Sequence, residues 1–107
     1  MAQPHCGVVL VTASSRDEAV AIAQALVTQK LAACVNLFPI HSIYTWDGAV
    51  QQDDEWQLVI KTDLDRWQEL SKTVQAIHSY DVPECIALPV IKGTPEYLSW
   101  MTNATST

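Results

Sequence analysis

Two long runs rich in β-branched and aromatic residues flank a single Asp-Gly pair, and this arrangement strongly limits what the chain can fold into. The runs cover residues 34–46 and 49–62, with Asp47 and Gly48 between them. Asp-Gly is favoured in two-residue type I′ turns, because both central residues of that turn take positive φ. The sequence therefore predicts one long β-hairpin, with a bend or bulge at Pro39, which cannot donate to a strand pair.

A strand and a helix are predicted before the hairpin. Residues 7–14 form a β-branched run typical of a strand buried on both faces. Ser15 and Glu18 have the spacing of a capping box, in which the two residues satisfy backbone donors at a helix start. Apolar residues then recur at helical spacing, so a helix is expected to extend to residue 30.

A second helix, a last strand and a short terminal helix are predicted after the hairpin. Asp63 is a suitable cap for the second helix, which should end near His78. Residues 84–92 form the predicted strand. Pro95 suits the first turn of a short helix, and residues 103–107 are expected to form a polar tail.

The order βαββαβ with a terminal helix predicts a ferredoxin-like α+β sandwich with an antiparallel sheet. With 107 residues, the chain is expected to form one domain that spans residues 1–107. The helices should cover one face of the sheet. The other face would leave Trp46, Trp56 and alternate aliphatic side chains exposed, so self-association is expected.

The charge balance argues against nucleic acid and membrane surfaces as partners. Twelve acidic residues against six basic ones give a net charge of −6, which repels phosphate groups and anionic lipids. The apolar start of the chain lacks the basic region of a signal peptide. The three cysteines, Cys6, Cys34 and Cys85, do not have the CxxC spacing of a zinc ribbon, and we expect free thiols. Free thiols fit a reducing compartment, so we expect a cytoplasmic protein.

Three short stretches carry a resemblance to a known family. They are residues 30–36, 42–48 and 80–84, which read KLAACVN, SIYTWDG and YDVPE. Supporting matches follow in the family's order at Glu55, Lys61, Thr62, Gly93 and residues 97–100. On these residues the chain resembles the CutA, or divalent-cation-tolerance, family.

The resemblance implies a homotrimer in which the long hairpins pair with neighbouring subunits. It also implies a link to divalent metals, above all copper, with Cys34 and His78 as the copper ligands. Thiolate and imidazole are ligands that suit copper. Two positions depart from the family pattern, because Val11 stands where some members have a further cysteine and Ser79 where a proline is usual.

Simpler interpretations of these residues stay open. Cys34 also fits a small buried apolar residue, and His78 a helix cap that offsets the helix dipole. His5 and Cys6, in an N-terminal segment expected to be mobile, form a rival copper site without any relation to function.

The acidic run at residues 53–55 is open to two interpretations. Alternation along a strand places Asp53 and Glu55 on one face and Asp54 on the other. A site for a hard cation is one interpretation, and a solvated hairpin arm is the other.

Two further hypotheses come from other functional classes. One is a small-ligand sensor similar to PII signalling proteins, whose effectors bind in clefts between subunits. The candidate cleft residues are Trp46, Glu55, Lys61, Tyr80 and Glu84. The other is a structural trimer that scaffolds other proteins. We expect no enzyme, because His78, Ser79 and Asp81 are too close in the sequence to align as a hydrolase triad.

Overall fold

A computed structural model of the chain describes residues 5–106. The strands are β1 (Cys6–Ala13), β2 (Cys34–Trp46), β3 (Ala49–Asp63) and β4 (Ile86–Pro89). The α-helices are α1 (Arg16–Thr28), α2 (Trp67–Ile77) and α3 (Pro95–Ala104), and a 3-10 turn, Leu64–Arg66, leads into α2. Within the described residues, no helix is both long enough and apolar enough to span a membrane.

The β2–β3 hairpin is paired without interruption from its open end to its turn. Asp47 and Gly48 have φ angles of 51° and 75°, which confirms the predicted type I′ turn. Pro39 lies opposite Trp56 in a continuous register, so the expected bulge does not form. β2 is an edge strand, and an edge strand tolerates proline because one of its sides needs no donor.

The sheet has the order β2-β3-β1-β4, and each neighbouring pair is antiparallel. β1 and β3 are therefore the inner strands, while β2 and β4 are the two edges. This order, with a helix after β1 and another after β3, confirms the predicted ferredoxin-like α+β sandwich.

One face of the sheet packs against α1 and α2 and holds the core. Its innermost side chains are at most 1% exposed: Val9, Val11, Leu58 and Ile60 from the sheet, and Ile22, Leu26, Leu70 and Val74 from the helices. We call the opposite side of the sheet the open face. On the open face, Val8, Leu10 and Thr12 of β1 are only half-buried, so the prediction that β1 is buried on both faces is wrong along most of the strand.

The two tryptophans expected on the open face have different positions. Trp56 lies opposite Ala13 and packs against the core under the helices, so the prediction that it is left exposed is wrong. Trp46, next to the hairpin turn, is 53% exposed, as expected. The apolar surface of the open face is therefore smaller than the sequence suggested.

Helix α3 covers one end of the open face, so the helices do not cover one face only. Cys6 is buried there, with its sulfur 3.6 Å from the Leu98 carbonyl oxygen. The predicted polar tail begins later than expected, because α3 continues to Ala104 and Thr105 is buried. The Thr105 hydroxyl donates to the Met101 carbonyl at 2.9 Å, which closes the helix end.

Two further boundaries differ from the prediction. Asp63 accepts a hydrogen bond from the Asp65 N–H at 2.9 Å and so caps the 3-10 turn, while α2 itself begins at Trp67. The helix ends at Ile77, with His78 as its C-cap residue, which confirms the predicted end near His78. The last strand covers only residues 86–89 of the expected 84–92, because β4 pairs with β1 over that stretch alone.

Only one half of the predicted capping box forms, because the Glu18 side chain accepts from Ser14 instead of from the N–H of the cap residue Ser15. The Ser15 hydroxyl accepts the Glu18 N–H at 3.1 Å, while the Glu18 carboxylate accepts from the N–H and hydroxyl of Ser14 at 2.9 and 2.8 Å. It also accepts the Ser79 N–H at 2.8 Å, from the far end of α2. Burial raises the pKa of this carboxyl, but the hydrogen bonds from Ser14 and Ser79 outweigh it and lower the pKa to about 2.

We therefore expect Glu18→Gln to lower the free energy of unfolding at pH 7 by about 1–2 kcal/mol, since hydrogen bonds to a charged group are lost. The folded-state pKa of about 2 lies below the ordinary value of 4.5. The contribution of the carboxylate is thus complete above pH 4.5 and disappears as the pH falls through about 2. Urea unfolding across this pH range should show the difference between the two proteins shrinking towards acid pH.

Asp17→Asn is the matched control, because Asp17 is an exposed acid in the same first turn of α1. It should have a much smaller effect. A Glu18→Gln difference that stays constant from neutral to acid pH would contradict the proposed role of the carboxylate.

Candidate functional site

Glu55 is the first residue of β3 beyond its pairing with β1. β1 ends at Ala13, opposite Trp56, whereas the pairing of β3 with β2 continues to the turn. Glu55 lies on the open face, because it is two residues from Gln57, which pairs with Thr12. The end of β1 leaves a place beside Glu55 for another segment, and Glu55 is only 8% exposed.

The segment that follows α2 occupies this place and is tied to β1 by His78. The His78 Nε2–H donates to the Thr12 carbonyl oxygen at 2.7 Å, and Nδ1 accepts the Tyr80 N–H at 3.0 Å. These contacts assign the ring to the Nε2-protonated tautomer. The side chain is fully buried. Both ring nitrogens are therefore used within the protein.

Tyr80 connects this segment to Glu55. The Tyr80 hydroxyl donates to Glu55 Oε2 at 2.8 Å, and the Tyr80 ring lies 4.8 Å from the His78 ring, centroid to centroid. Burial, and then the hydrogen bond to the Glu55 carboxylate, raise the pKa of Tyr80 well above its ordinary value of 10. The phenol is thus held as a proton donor to Glu55.

The hairpin and residues 80–84 enclose a cleft of about 610 Å³, which we call the Glu55 cleft. Its walls include three carboxylates and three aromatic rings: Glu55, Asp81, Glu84, Tyr44, Trp46 and Tyr80. Small-ligand sites usually have volumes of roughly 300–1,000 Å³, so the space is of the right size. Four of the five predicted cleft residues, Trp46, Glu55, Tyr80 and Glu84, lie here together.

Lys61, the fifth predicted cleft residue, is not part of the cleft within one chain. It follows Glu55 by six residues on β3, a separation of roughly 20 Å along a strand. Its ammonium group donates to the side-chain oxygen of Asn36 on β2. The lysine shares the open face with Glu55 but lies at the other end of it.

One chain does not bring the predicted copper ligands together. Cys34 pairs with Lys61, which in turn pairs with Val8 of β1. His78 binds Thr12, four residues further along β1, which is roughly 13 Å at the rise of a strand. Within residues 5–106, no group of three or more His, Cys, Asp and Glu side chains has the arrangement to hold a metal ion.

The rival N-terminal pair also differs from its prediction. Cys6 is the first residue of β1 and is 5% exposed, and its sulfur lies against α3. His5 Nδ1 is 3.1 Å from an Asp65 carboxylate oxygen. Because Cys6 is part of the folded sheet, the two residues do not form a mobile chelating pair.

Sequence reasoning missed several residues of the cleft. Ser42, Tyr44 and Asp81 line it beside the predicted residues. The Tyr44 hydroxyl donates to Asp53 across the hairpin, and this hydrogen bond raises the pKa of the Tyr44 phenol. Alternation along β2 from Trp46 would have placed Ser42 and Tyr44 on the same face.

The acidic run alternates as predicted. The open face carries Asp53, which contacts Tyr44, and Glu55, which contacts Tyr80. Asp54 is on the opposite face, where its carboxylate lies 2.9 Å from His41 Nδ1. Of this run, Glu55 lines the cleft and Asp53 lies next to it.

Comparisons with known proteins agree on one family. Residues 7–104 match the family model described as CutA1 divalent ion tolerance protein. The divalent-cation tolerance protein CutA of Thermus thermophilus is 47% identical over 95 residues, which are 88% of this chain and 92% of the relative. The chloroplastic protein CutA of Arabidopsis thaliana is 48% identical over 99 residues. These residues are 92% of this chain but only 54% of that longer relative.

The fold leads to the same family. The structure of the periplasmic divalent cation tolerance protein CutA from Archaeoglobus fulgidus is similar with a TM-score of 0.93 and 37% identity, over 94% of this chain and 99% of that chain. A match of this extent in sequence and in structure shows common family membership. The chain belongs to the CutA1 divalent ion tolerance family.

Proposed function

We propose that this protein takes part in the tolerance of divalent metal ions as a homotrimer that binds a small ligand in the Glu55 cleft. The observation that supports the proposal most strongly is the buried carboxylate of Glu55 beside a space of about 610 Å³. Burying a charged group is costly unless a partner compensates it. A ligand that supplies further hydrogen-bond or charge partners to the Glu55 carboxylate would therefore bind with a favourable change in free energy.

The cleft is connected to the rest of the subunit in a way that suits a sensor. Tyr80 contacts Glu55 at one end and His78 at the other, and Ser79 is held by Glu18 of α1. The chain then continues directly into the edge strand β4. A ligand that binds Glu55 next to Tyr80 would favour one position of the segment between α2 and β4, and so alter the edge offered to a neighbouring subunit.

We infer binding rather than catalysis as the activity of this segment. The Ser79 hydroxyl would need a neighbouring base to act as a nucleophile. His78 is engaged through both ring nitrogens, with Thr12 and Tyr80. The family name describes tolerance of ions and supports the same inference.

The trimer is supported by two uncovered edges. β2 and β4 are the outer strands of the sheet, and Ile86 and Leu88 of β4 are 51% and 47% exposed. Ile91, just beyond β4, is 88% exposed. Open apolar edges favour pairing with other chains. In a closed ring, each subunit can pair one of its edges with each of its two neighbours.

We expect light scattering to report three chains per particle at micromolar concentration. Ile91→Glu should shift the protein towards smaller species, because it places a charge on the exposed apolar edge next to β4. Gln75→Glu adds the same charge to an exposed position of α2 and should leave the trimer unchanged. A monomeric native protein, or equal effects of both variants, would refute the edge-to-edge assembly.

Copper binding at Cys34 is a second candidate. Cys34 is half-buried on β2, the strand at the open edge of the sheet. Its sulfur is a soft ligand of the kind that suits copper. The remaining ligands would have to come from a neighbouring subunit, since His78 lies at the far end of the open face and is engaged with Thr12 and Tyr80.

Location in the cytoplasm also stays a prediction.

The cleft proposal predicts a Glu55-dependent thermal shift. The protein-free small-molecule fraction of a cell extract should raise the melting temperature of the native protein by a few degrees. This is the shift expected when the ligand concentration is well above the Kd. Glu55→Gln should lose most of this shift, because the amide still accepts from Tyr80 but no longer carries the charge. Glu96→Gln, at an exposed acid of α3, should keep it.

Copper(II) is titrated in the same assay to separate the two candidates. A copper-induced shift lost in Cys34→Ser and kept in Cys85→Ser and Glu55→Gln would assign copper to the second candidate. Equal extract-induced shifts in native protein and Glu55→Gln would rule out the Glu55 cleft as the ligand site and leave the scaffold hypothesis.

A further inference from the structure

The charged side chains that line the Glu55 cleft are all acidic. Glu55, Asp81 and Glu84 line it, and among the described residues no lysine, arginine or histidine does. Asp53 lies next to the cleft through its contact with Tyr44. A low-dielectric cleft lined by carboxylates attracts cations and repels anions. Anionic effectors, such as nucleotides and dicarboxylates, are therefore poorly matched to this site.

The aromatic lining favours an organic cation over a bare metal ion. Tyr44, Trp46 and Tyr80 present rings to the same space as the carboxylates. Ammonium groups are attracted to aromatic faces, and an aliphatic body packs against them as well. Hard metal ions instead need several convergent oxygen ligands, and no such group is present within residues 5–106.

Two of the carboxylates are spaced along the open face. Glu55 and Gln57 are two residues apart on β3, which is roughly 7 Å along a strand. The Gln57 side-chain amide donates to Glu84 Oε2 at 3.3 Å and to the Val11 carbonyl at 3.0 Å. Gln57, the next open-face residue of β3 after Glu55, therefore holds the Glu84 carboxylate at this end of the open face.

Glu55 has acceptor capacity to spare. In the described part of the chain, only the Tyr80 hydroxyl is within hydrogen-bonding distance of its carboxylate. An ionised carboxylate offers about four acceptor positions on two oxygens. An ammonium group can thus bind Glu55 without breaking its contact with Tyr80.

We propose that the Glu55 cleft binds an aliphatic diamine, with one ammonium at Glu55 and the other at Glu84, and its carbon chain against the rings of Trp46 and Tyr44. This proposal rests on the proposed function, since it names the ligand class of the same cleft. An extended four-carbon diamine separates its nitrogens by roughly 6 Å, close to the step of roughly 7 Å along β3 from Glu55 to Gln57, which holds Glu84.

The test compares three probes of equal chain length by titration calorimetry at constant ionic strength. The probes are 1,4-diaminobutane, the neutral 1,4-butanediol and the dianion succinate. The native protein should bind the diamine and give no detectable heat with the other two. Binding should weaken as salt is added, because ion pairs near a protein surface are screened.

Variants locate the site. Glu55→Gln and Glu84→Gln should each weaken diamine binding at least about tenfold, as expected when one charge-assisted contact is lost. Trp46→Leu should weaken it several-fold, whereas Trp100→Leu, at a similarly exposed tryptophan of α3, should not. Thermal unfolding without ligand checks that each variant is folded.

The outcomes separate this inference from the proposed function. A Glu55-dependent extract shift without diamine binding, or with succinate or butanediol bound equally well, overturns the diamine inference and leaves the cleft as a ligand site. Diamine binding that Glu55→Gln and Glu84→Gln leave unchanged also overturns it, because the ligand is then bound elsewhere. Loss of both the extract shift and diamine binding removes the proposed function as well.

Discussion

Strand β3 pairs with two partners over different parts of its length, and the position of Glu55 follows from this mismatch. From residue 56 onwards it lies between β1 and β2, and before that it pairs with β2 alone. A strand with one free side exposes unpaired backbone groups and leaves room beside it. The chain that follows α2 enters this room, and the Glu55 cleft forms between that segment and the projecting hairpin.

His78 gains a structural role from the same geometry. A buried imidazole is costly unless both of its nitrogens find partners, and here they bind the Thr12 carbonyl and the Tyr80 N–H. The ring therefore fixes the position of Tyr80 against Glu55. A residue with the chemistry of a metal ligand acts in this fold as a support of the cleft, while Cys34 is left at the far end of the open face.

Local signals in the sequence predicted the parts of the fold that depend on neighbouring residues. The Asp47 and Gly48 turn and the Ser15 cap each satisfy a requirement set within a few residues, and both form as expected. The βαββαβ order followed from these local elements and from the handedness of crossovers. The ordered end of α3 was missed because the burial of Thr105 depends on tertiary packing rather than on composition.

The candidate site was predicted in part for a similar reason. Glu55 and Lys61 were grouped as polar residues of one cleft, and alternation does place both on the open face, but alternation does not fix the distance between them along the strand. The separation of Cys34 from His78 depends on the register of three strands, which no short motif contains. Tyr80 and Glu84 were predicted correctly, and both lie in the short segment that fills the gap beside β3.

The role of His78 can be measured directly by nitrogen-15 NMR of the histidine rings during a copper(II) titration. A supporting role predicts the Nε2-protonated tautomer for His78 and ring signals that keep their positions and widths up to one equivalent of copper per chain. His5 and His41 are exposed and serve as internal references for non-specific contact. Loss of the His78 signals at a fraction of an equivalent, before those of His5 and His41, would show that copper binds this ring and would contradict the structural role assigned to it.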